Sequence, residues 1–146
     1  MLSRLTLLMS CMLLLSACTH TPSYSYLDPR LQQREAAVRA YRSGDLLQAE
    51  GLLRKLLLSY PDDARAWLLL GNIHMRSQEF AAAHQAYQKA SEYQPDDPVI
   101  WHNLAVSHLR LATTALIKGQ EQRPGLETPP LLNWLLELQA NPAPAS

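Results

Sequence analysis

The sequence predicts an all-α fold, and three observations support that prediction. A spaced pattern of apolar and small residues recurs along the chain, so that Trp101 follows Trp67 by 34 positions, and repeats of this length stack helical units. No stretch shows the sustained alternation of apolar and polar residues that indicates a half-buried strand. With 47% hydrophobic and 18% charged residues, the 146-residue chain has the composition of a folded domain.

The middle unit, residues 64–97, has seven residues at a regular spacing: Trp67, Leu70, Gly71, His74, Ala83, Tyr87 and Pro95. The first four fit W-x2-L-G-x2-Y with His in the Tyr place, the next two fit A-x3-F, and the proline closes the unit. This pattern resembles the tetratricopeptide repeat (TPR), a helix–turn–helix packing unit. The resemblance implies a TPR-like array of helical hairpins that holds another protein.

The pattern continues on both sides of the middle unit, but less completely. Shifted forward by 34 residues, it falls on Trp101, Leu104, Ala105 and His108. Shifted back, it falls on a first repeat that has Gln33 in place of the tryptophan. We therefore expect about two and a half repeats, at 30–63, 64–97 and, in part, 98–118.

One helical pair cannot bury its own apolar face, so neighbouring units must stack. In such a stack, we expect Gly71 and Ala105 to lie where paired helices cross closely. The large side chains of Trp67, Trp101 and Tyr87 are then expected to fill the gaps between successive pairs.

Helix starts and stops can be assigned from cap residues. Acidic residues, which are preferred at N-caps, precede the expected starts: Asp28, Asp45, and the pairs Asp62-Asp63 and Asp96-Asp97. Gly44 is expected to end the first helix. The first helix of the third unit is overlong in this assignment, running from Pro98 to Lys118, where Gly119 stops it.

The segment 129–139 is expected to form a short apolar helix that caps the third unit with Leu131, Leu135 and Leu138. A partner-facing segment and a helix lying on a membrane are the alternatives, because so apolar a helix leaves some leucines exposed. The predicted domain thus spans 29–139, and a flexible tail is expected at 140–146.

The first 17 residues resemble a bacterial lipoprotein signal peptide. Arg4 precedes an apolar run of eleven residues, Leu5 to Leu15, which is too short to span a bilayer comfortably. The run ends in Leu15-Ser16-Ala17-Cys18, which resembles a lipobox and implies that Cys18 becomes the acylated first residue, followed by a polar tether over 18–28. A single-pass membrane anchor is the alternative.

The same resemblance implies a location. Cys11 would leave with the signal peptide, so Cys18 would be the only thiol of the mature chain. Thr19 follows it, whereas an Asp there favours retention in the inner membrane. We therefore expect attachment to the periplasmic face of the outer membrane.

Charge and motifs exclude several classes of function. The formal net charge is zero, so a nucleic-acid-binding surface is not expected. The sequence has no Gly-rich phosphate loop, G-x-S-x-G or H-E-x-x-H motif. His74 and His108 lack acidic or thiol neighbours at metal-ligand spacing. We expect no enzyme, no cofactor, no metal and no small-molecule substrate.

The family resemblance implies a groove lined by the first helix of each unit, suited to an extended or helical client segment. Its expected lining residues are Arg34, Val38, Tyr41, Leu68, Asn72, Met75, His102, Val106 and Leu109. The alternative is that the overlong helix or the cap buries some of them. Val38, Leu69 and Val99 occupy positions where a carboxylate clamp of this family needs polar or basic groups, so that activity is not expected.

Arg42, Arg76 and Arg110 recur at one phase of the repeat and are expected to form a basic ladder along one edge. One hypothesis is that they contact an acidic segment of the partner. The other, which the sequence favours, is that each stabilises the end of its helix through the helix dipole.

Together these resemblances imply a lipid-anchored adaptor, similar to pilotins and assembly factors of pili and secretion channels. Two alternatives remain open at this point. The protein could dock peptidoglycan synthases or hydrolases as their regulator, or act as a general envelope-maintenance factor.

Replacing Cys18 with Ser tests the proposed anchor. The variant is expected to move from the membrane fraction to the soluble fraction, because stable anchoring requires the acyl chains. Cell fractionation and immunoblotting measure this, with Cys11→Ser as the matched control that stays in the membrane fraction. Tight membrane attachment of the Cys18 variant would refute the lipoprotein assignment.

Overall fold

The computed structural model describes residues 28–123, 125 and 127–140. Over these residues the chain forms six helices and no strand: α1 (Pro29–Arg42), α2 (Leu46–Ser59), α3 (Ala64–Arg76), α4 (Phe80–Tyr93), α5 (Pro98–Glu121) and α6 (Pro130–Ala140). The pairs α1–α2 and α3–α4 form hairpins, α3 packs on the first hairpin, α5 packs on α4, and α6 packs on α5. The predicted all-α, TPR-like array is confirmed.

Aspartates begin four of the helices, as the sequence predicts. The carboxylates of Asp45 and Asp63 each accept a hydrogen bond of 3.0 Å from the backbone N–H three residues ahead. Those of Asp28 and Asp97 accept one from the residue two ahead, at 3.0 and 2.8 Å. Each bond satisfies a backbone donor that the helix itself leaves without a partner.

The turns inside the two hairpins share one geometry. Gly44 and Gln78, which lie 34 residues apart, both have positive φ, at +85° and +61°. Their backbone N–H groups donate to the carbonyls of Tyr41 and Met75, at 3.1 and 3.2 Å. A non-glycine residue in this conformation costs about 1–2 kcal/mol. The second hairpin therefore adopts the same turn as the first although Gln78 stands where the first has Gly44.

The core consists of two clusters. The larger joins the first four helices through Ala37, Ala40, Ala49, Leu53, Leu56, Leu57, Ala66, Leu70, Ile73 and Ala86. The smaller joins α4 to α5 through Ala83, Tyr87 and Leu104. Helix α1 buries only alanines completely, and its Tyr41 packs, partly buried, against the larger cluster.

The close approach of helices predicted at Gly71 is present. A Cβ at this position would overlap the ring of Tyr87, whose side chain is 2% exposed. The equivalent prediction for Ala105 is wrong, because its side chain is exposed. After Ala105 the chain continues as α5 to Glu121, so no paired second helix crosses it there.

Trp67 and Trp101 make the same hydrogen bond but differ in burial. Their indole N–H groups donate to the carbonyls of Pro61 and Pro95, at 2.8 and 2.6 Å. Trp67 packs against the larger core cluster. Trp101 is 50% exposed, and the expected gap-filling role holds only for Trp67 and for the buried Tyr87.

The C-terminal part departs from the predicted details. Gly119 does not end α5, since the cost of a helical glycine, about 1 kcal/mol, is small enough to be overridden. Helix α6 packs on α5 through Leu132 and Leu135, and Gln139 Nε2 donates to Thr113 Oγ1 at 2.6 Å. The predicted packing face was wrong for Leu131 and Leu138, which are 54% and 43% exposed.

In the part of the chain that the structure describes, none of the helices combines the length and the hydropathy needed to cross a membrane.

Candidate protein-binding groove

The nine residues predicted to line the groove come from α1, α3 and α5, and none of them is fully buried. His102 is exposed, and eight are partly exposed: Arg34, Val38, Tyr41, Leu68, Asn72, Met75, Val106 and Leu109. Helix α6 buries its own Leu132 and Leu135 against α5 and leaves Val106 and Leu109 partly accessible.

Apolar side chains of α3 lie on the face that the sequence predicts as the groove, and we call them its floor in the second repeat. Leu68 and Met75 pack against the smaller core cluster and are still partly exposed. A ligand can therefore contact them while the hairpin stays intact. Such contact would remove further apolar surface from water, which is the main favourable contribution to most protein association.

Two asparagines add polar groups to this floor. The Oδ1 atom of Asn72 accepts hydrogen bonds from Tyr87 Oη at 2.8 Å and from Asn103 Nδ2 at 3.3 Å. Among the described residues, Asn72 Nδ2 and Asn103 Oδ1 have no hydrogen-bond partner. The pair thus presents a donor and an acceptor side by side, which matches the alternating N–H and C=O groups of a peptide backbone.

Arg34 has a structural partner. Its Nη1 atom lies 2.8 Å from Oδ2 of Asp63, and Nε of Arg30 lies 3.0 Å from the same oxygen. The Asp63 residue is 3% exposed. We therefore assign Arg34 to the junction between α1 and α3, at the end of the groove.

The three arginines of the basic ladder have different surroundings. The guanidinium of Arg76 lies over the ring of Tyr41, with Cζ 4.9 Å from the ring centroid, and that of Arg110 lies 5.9 Å from the centroid of Phe80. Arg42 is exposed. Arg76 and Arg110 line a common cleft, and Arg42 is not part of it.

Histidines provide polar contacts at the helix interfaces. His74, 4% exposed, has Nδ1 2.6 Å from Oε2 of Glu79. His84 of α4 is partly buried, with its ring centroid 4.3 Å from that of His108 and Nδ1 3.1 Å from Ser107 Oγ. The described residues contain no group of three or more potential metal ligands.

Sequence reasoning missed the junction of Arg30 and Arg34 with Asp63. The available signal was the spacing of the two arginines, four residues apart on one helix face, which allows both to reach one carboxylate. The His84–His108 contact had no comparable signal. It joins different helices and depends on how α4 and α5 are rotated.

Cys18, the tether and the signal segment lie outside the described residues, so the lipid anchor stays a prediction.

Comparison with known proteins supports the repeat assignment. Residues 40–106 match the family described as tetratricopeptide repeat. This stretch starts near the end of α1 and ends within α5, so it includes the complete second hairpin and nearly half of the 146-residue chain. No curated protein matches the chain. The match supports a TPR protein and, with it, a role in protein–protein interaction.

Titration of His84 is expected to make stability depend on pH. Burial, and secondarily the nearby His108, lower the pKa of His84 below its ordinary value of 6.5. The unfolded chain therefore takes up this proton at higher pH than the folded chain does. The contribution of neutral His84 to the free energy of unfolding is fully present above about pH 6.5. It is lost as the pH falls from there through the lowered pKa of the folded state.

The measurement is thermal denaturation at about pH 7.5 and about pH 5. His84→Gln is expected to show a smaller drop in melting temperature between the two pH values than the wild type. His102→Gln changes an exposed histidine of α5 and should keep the wild-type drop. An equal drop in His84→Gln and the wild type would contradict this account.

Proposed function

We propose that this protein is a non-catalytic adaptor that holds a segment of a client protein in the groove formed by α1, α3 and α5. We further propose that acyl chains on Cys18 attach it to the periplasmic face of the outer membrane. There it would assist the assembly of a pilus or secretion complex. The client segment is extended or helical, since both forms fit a groove lined by successive helices.

The observation that carries the groove assignment is the floor of the second repeat. Leu68 and Met75 offer partly exposed apolar surface, and the amides of Asn72 and Asn103 offer hydrogen-bonding groups to a main chain. Tyr87 fixes Asn72 by its hydrogen bond, so that amide is oriented before a ligand arrives. Preorganisation of this kind lowers the entropic cost of binding.

The envelope location and the pathway rest on the sequence. The apolar run before Cys18 and the residue after it support the lipid anchor and the outer membrane. A tether of about ten residues would let the domain stand off the surface while keeping it close to envelope complexes.

Site-specific photo-crosslinking in cells tests this proposal. A benzoylphenylalanine replaces Met75 in the groove, and the matched control places it at Lys55, an exposed residue of α2. We expect position 75 to give discrete adducts with a periplasmic or outer-membrane protein that position 55 does not give. Mass spectrometry of the adducts identifies the client.

The identity of the client decides between the pathways. Pilins, secretins or other components of an assembly machine would support the proposed pathway. Peptidoglycan synthases or hydrolases would replace it with regulation of cell-wall enzymes. No adduct at position 75, or the same adducts at both positions, would refute the groove as a client site.

A further inference from the structure

Arg76 and Arg110 line one cleft of about 390 Å³ at the edge of the groove. Its other lining residues are Met75, Gln78 and Phe80, so the cleft contains two guanidinium groups and no carboxylate. Met75 also belongs to the floor of the proposed groove, so the two sites share this residue.

Aromatic rings hold both guanidinium groups in place. Arg76 lies over Tyr41 and also donates from Nη1 to the Tyr41 carbonyl at 3.3 Å. Arg110 lies over Phe80. A guanidinium stacked by its flat face keeps N–H groups at its edge for planar acceptors, and carboxylates match that geometry.

The acidic residue that lies next to the cleft lining in the sequence is engaged elsewhere. Glu79, which follows Gln78 directly, has its carboxylate on His74. The other ion pairs of the described residues use Arg30, Arg34, Arg54 and Lys89 as their cations. Within those residues, neither Arg76 nor Arg110 has a carboxylate within 4.0 Å.

Helix-end stabilisation explains only part of this arrangement. Arg76 is the last residue of α3, where the dipole interpretation places a cation, and it also donates to the carbonyl of Tyr41 near the end of α1. Arg110 lies in the middle of α5, which continues to Glu121, so no helix end accounts for its position. Two cations sharing a cleft without an anion repel each other, and an anionic ligand would remove that repulsion.

We propose that this cleft binds Asp or Glu side chains of the client segment. The client then carries acidic residues beside the apolar residues that contact Met75 and Leu68. This inference rests on the proposed adaptor function and adds the chemistry of the client to it. The two arginines act as a specificity element, while the apolar floor contributes most of the contact area.

Selection from a random-peptide phage library tests this inference. The full-length protein is immobilised as wild type, as the double variant R76E/R110E and as the control R65E, which reverses an exposed arginine of α3. We expect peptides enriched on the wild type and on R65E to contain Asp and Glu above the library average. On R76E/R110E this excess should disappear.

Binding of the enriched peptides is then measured by fluorescence anisotropy. We expect R76E/R110E to bind them about tenfold more weakly or worse, and R65E to bind them as the wild type does. If the charge reversal lowers the melting temperature strongly, R76Q/R110Q, which removes the charges without adding carboxylates, gives the same comparison.

The outcomes separate this inference from the function it rests on. No enrichment of any peptide on the wild type would count against both. Enriched peptides without an acidic excess, or an excess that persists on R76E/R110E and R76Q/R110Q, would overturn the acidic client while leaving the groove in place. Binding to vesicles of phosphatidylglycerol is the remaining outcome. If the wild type binds them better than R76E/R110E does and no acidic peptides are enriched, the cleft is assigned to lipid headgroups and the acidic client is overturned.

Discussion

The carboxylate of Asp63 joins the first repeat to the second, and the alignment of the groove depends on it. It caps α3 and also accepts hydrogen bonds from Arg30 and Arg34 of α1. Helix α1 buries only two alanines completely, and each buried CH₂-sized group contributes about 0.8 kcal/mol. A hydrogen bond to a charged group contributes ~1.5–3 kcal/mol. The polar junction therefore adds to the apolar packing of these alanines and the partly buried Tyr41 in fixing the position of α1.

The three helices that line the proposed groove are fixed by different kinds of contact. Helix α1 combines the packing of its alanines with polar contacts and with the contact of Arg76 on Tyr41. Helix α3 is fixed by the larger core cluster and by the close approach of Gly71 to Tyr87. Helix α5 packs on α4 and on α6, and Ala105 and Arg110 on it are at least partly exposed. The middle repeat is thus both the best-packed unit and the source of most residues of the proposed client site, and α5 adds Arg110 to it.

Features that depend on neighbouring residues or on the repeat could be predicted from the sequence. Features that depend on how helices rotate and meet could not. Asp caps and the Gly71–Tyr87 spacing act over a few residues or recur with the repeat, so the sequence shows them directly. The burial of Leu132 in place of Leu131 depends on a rotation of α6 by one residue, which apolar periodicity does not resolve. Likewise, the repeat predicts which residues line the proposed groove, whereas the capture of Arg34 by Asp63 depends on how two repeats meet.

Hydrogen exchange of Asp63→Asn tests the central claim most directly. Asparagine is as good an N-cap as aspartate, so the substitution keeps the cap of α3 and removes the charge that holds α1. With Asp96→Asn as the control, an exposed aspartate in the turn before α5, the account predicts that amides of α1 exchange about tenfold faster or more in Asp63→Asn, while those of α4 keep their protection. Unchanged exchange in α1, or equal acceleration in every helix, would contradict it.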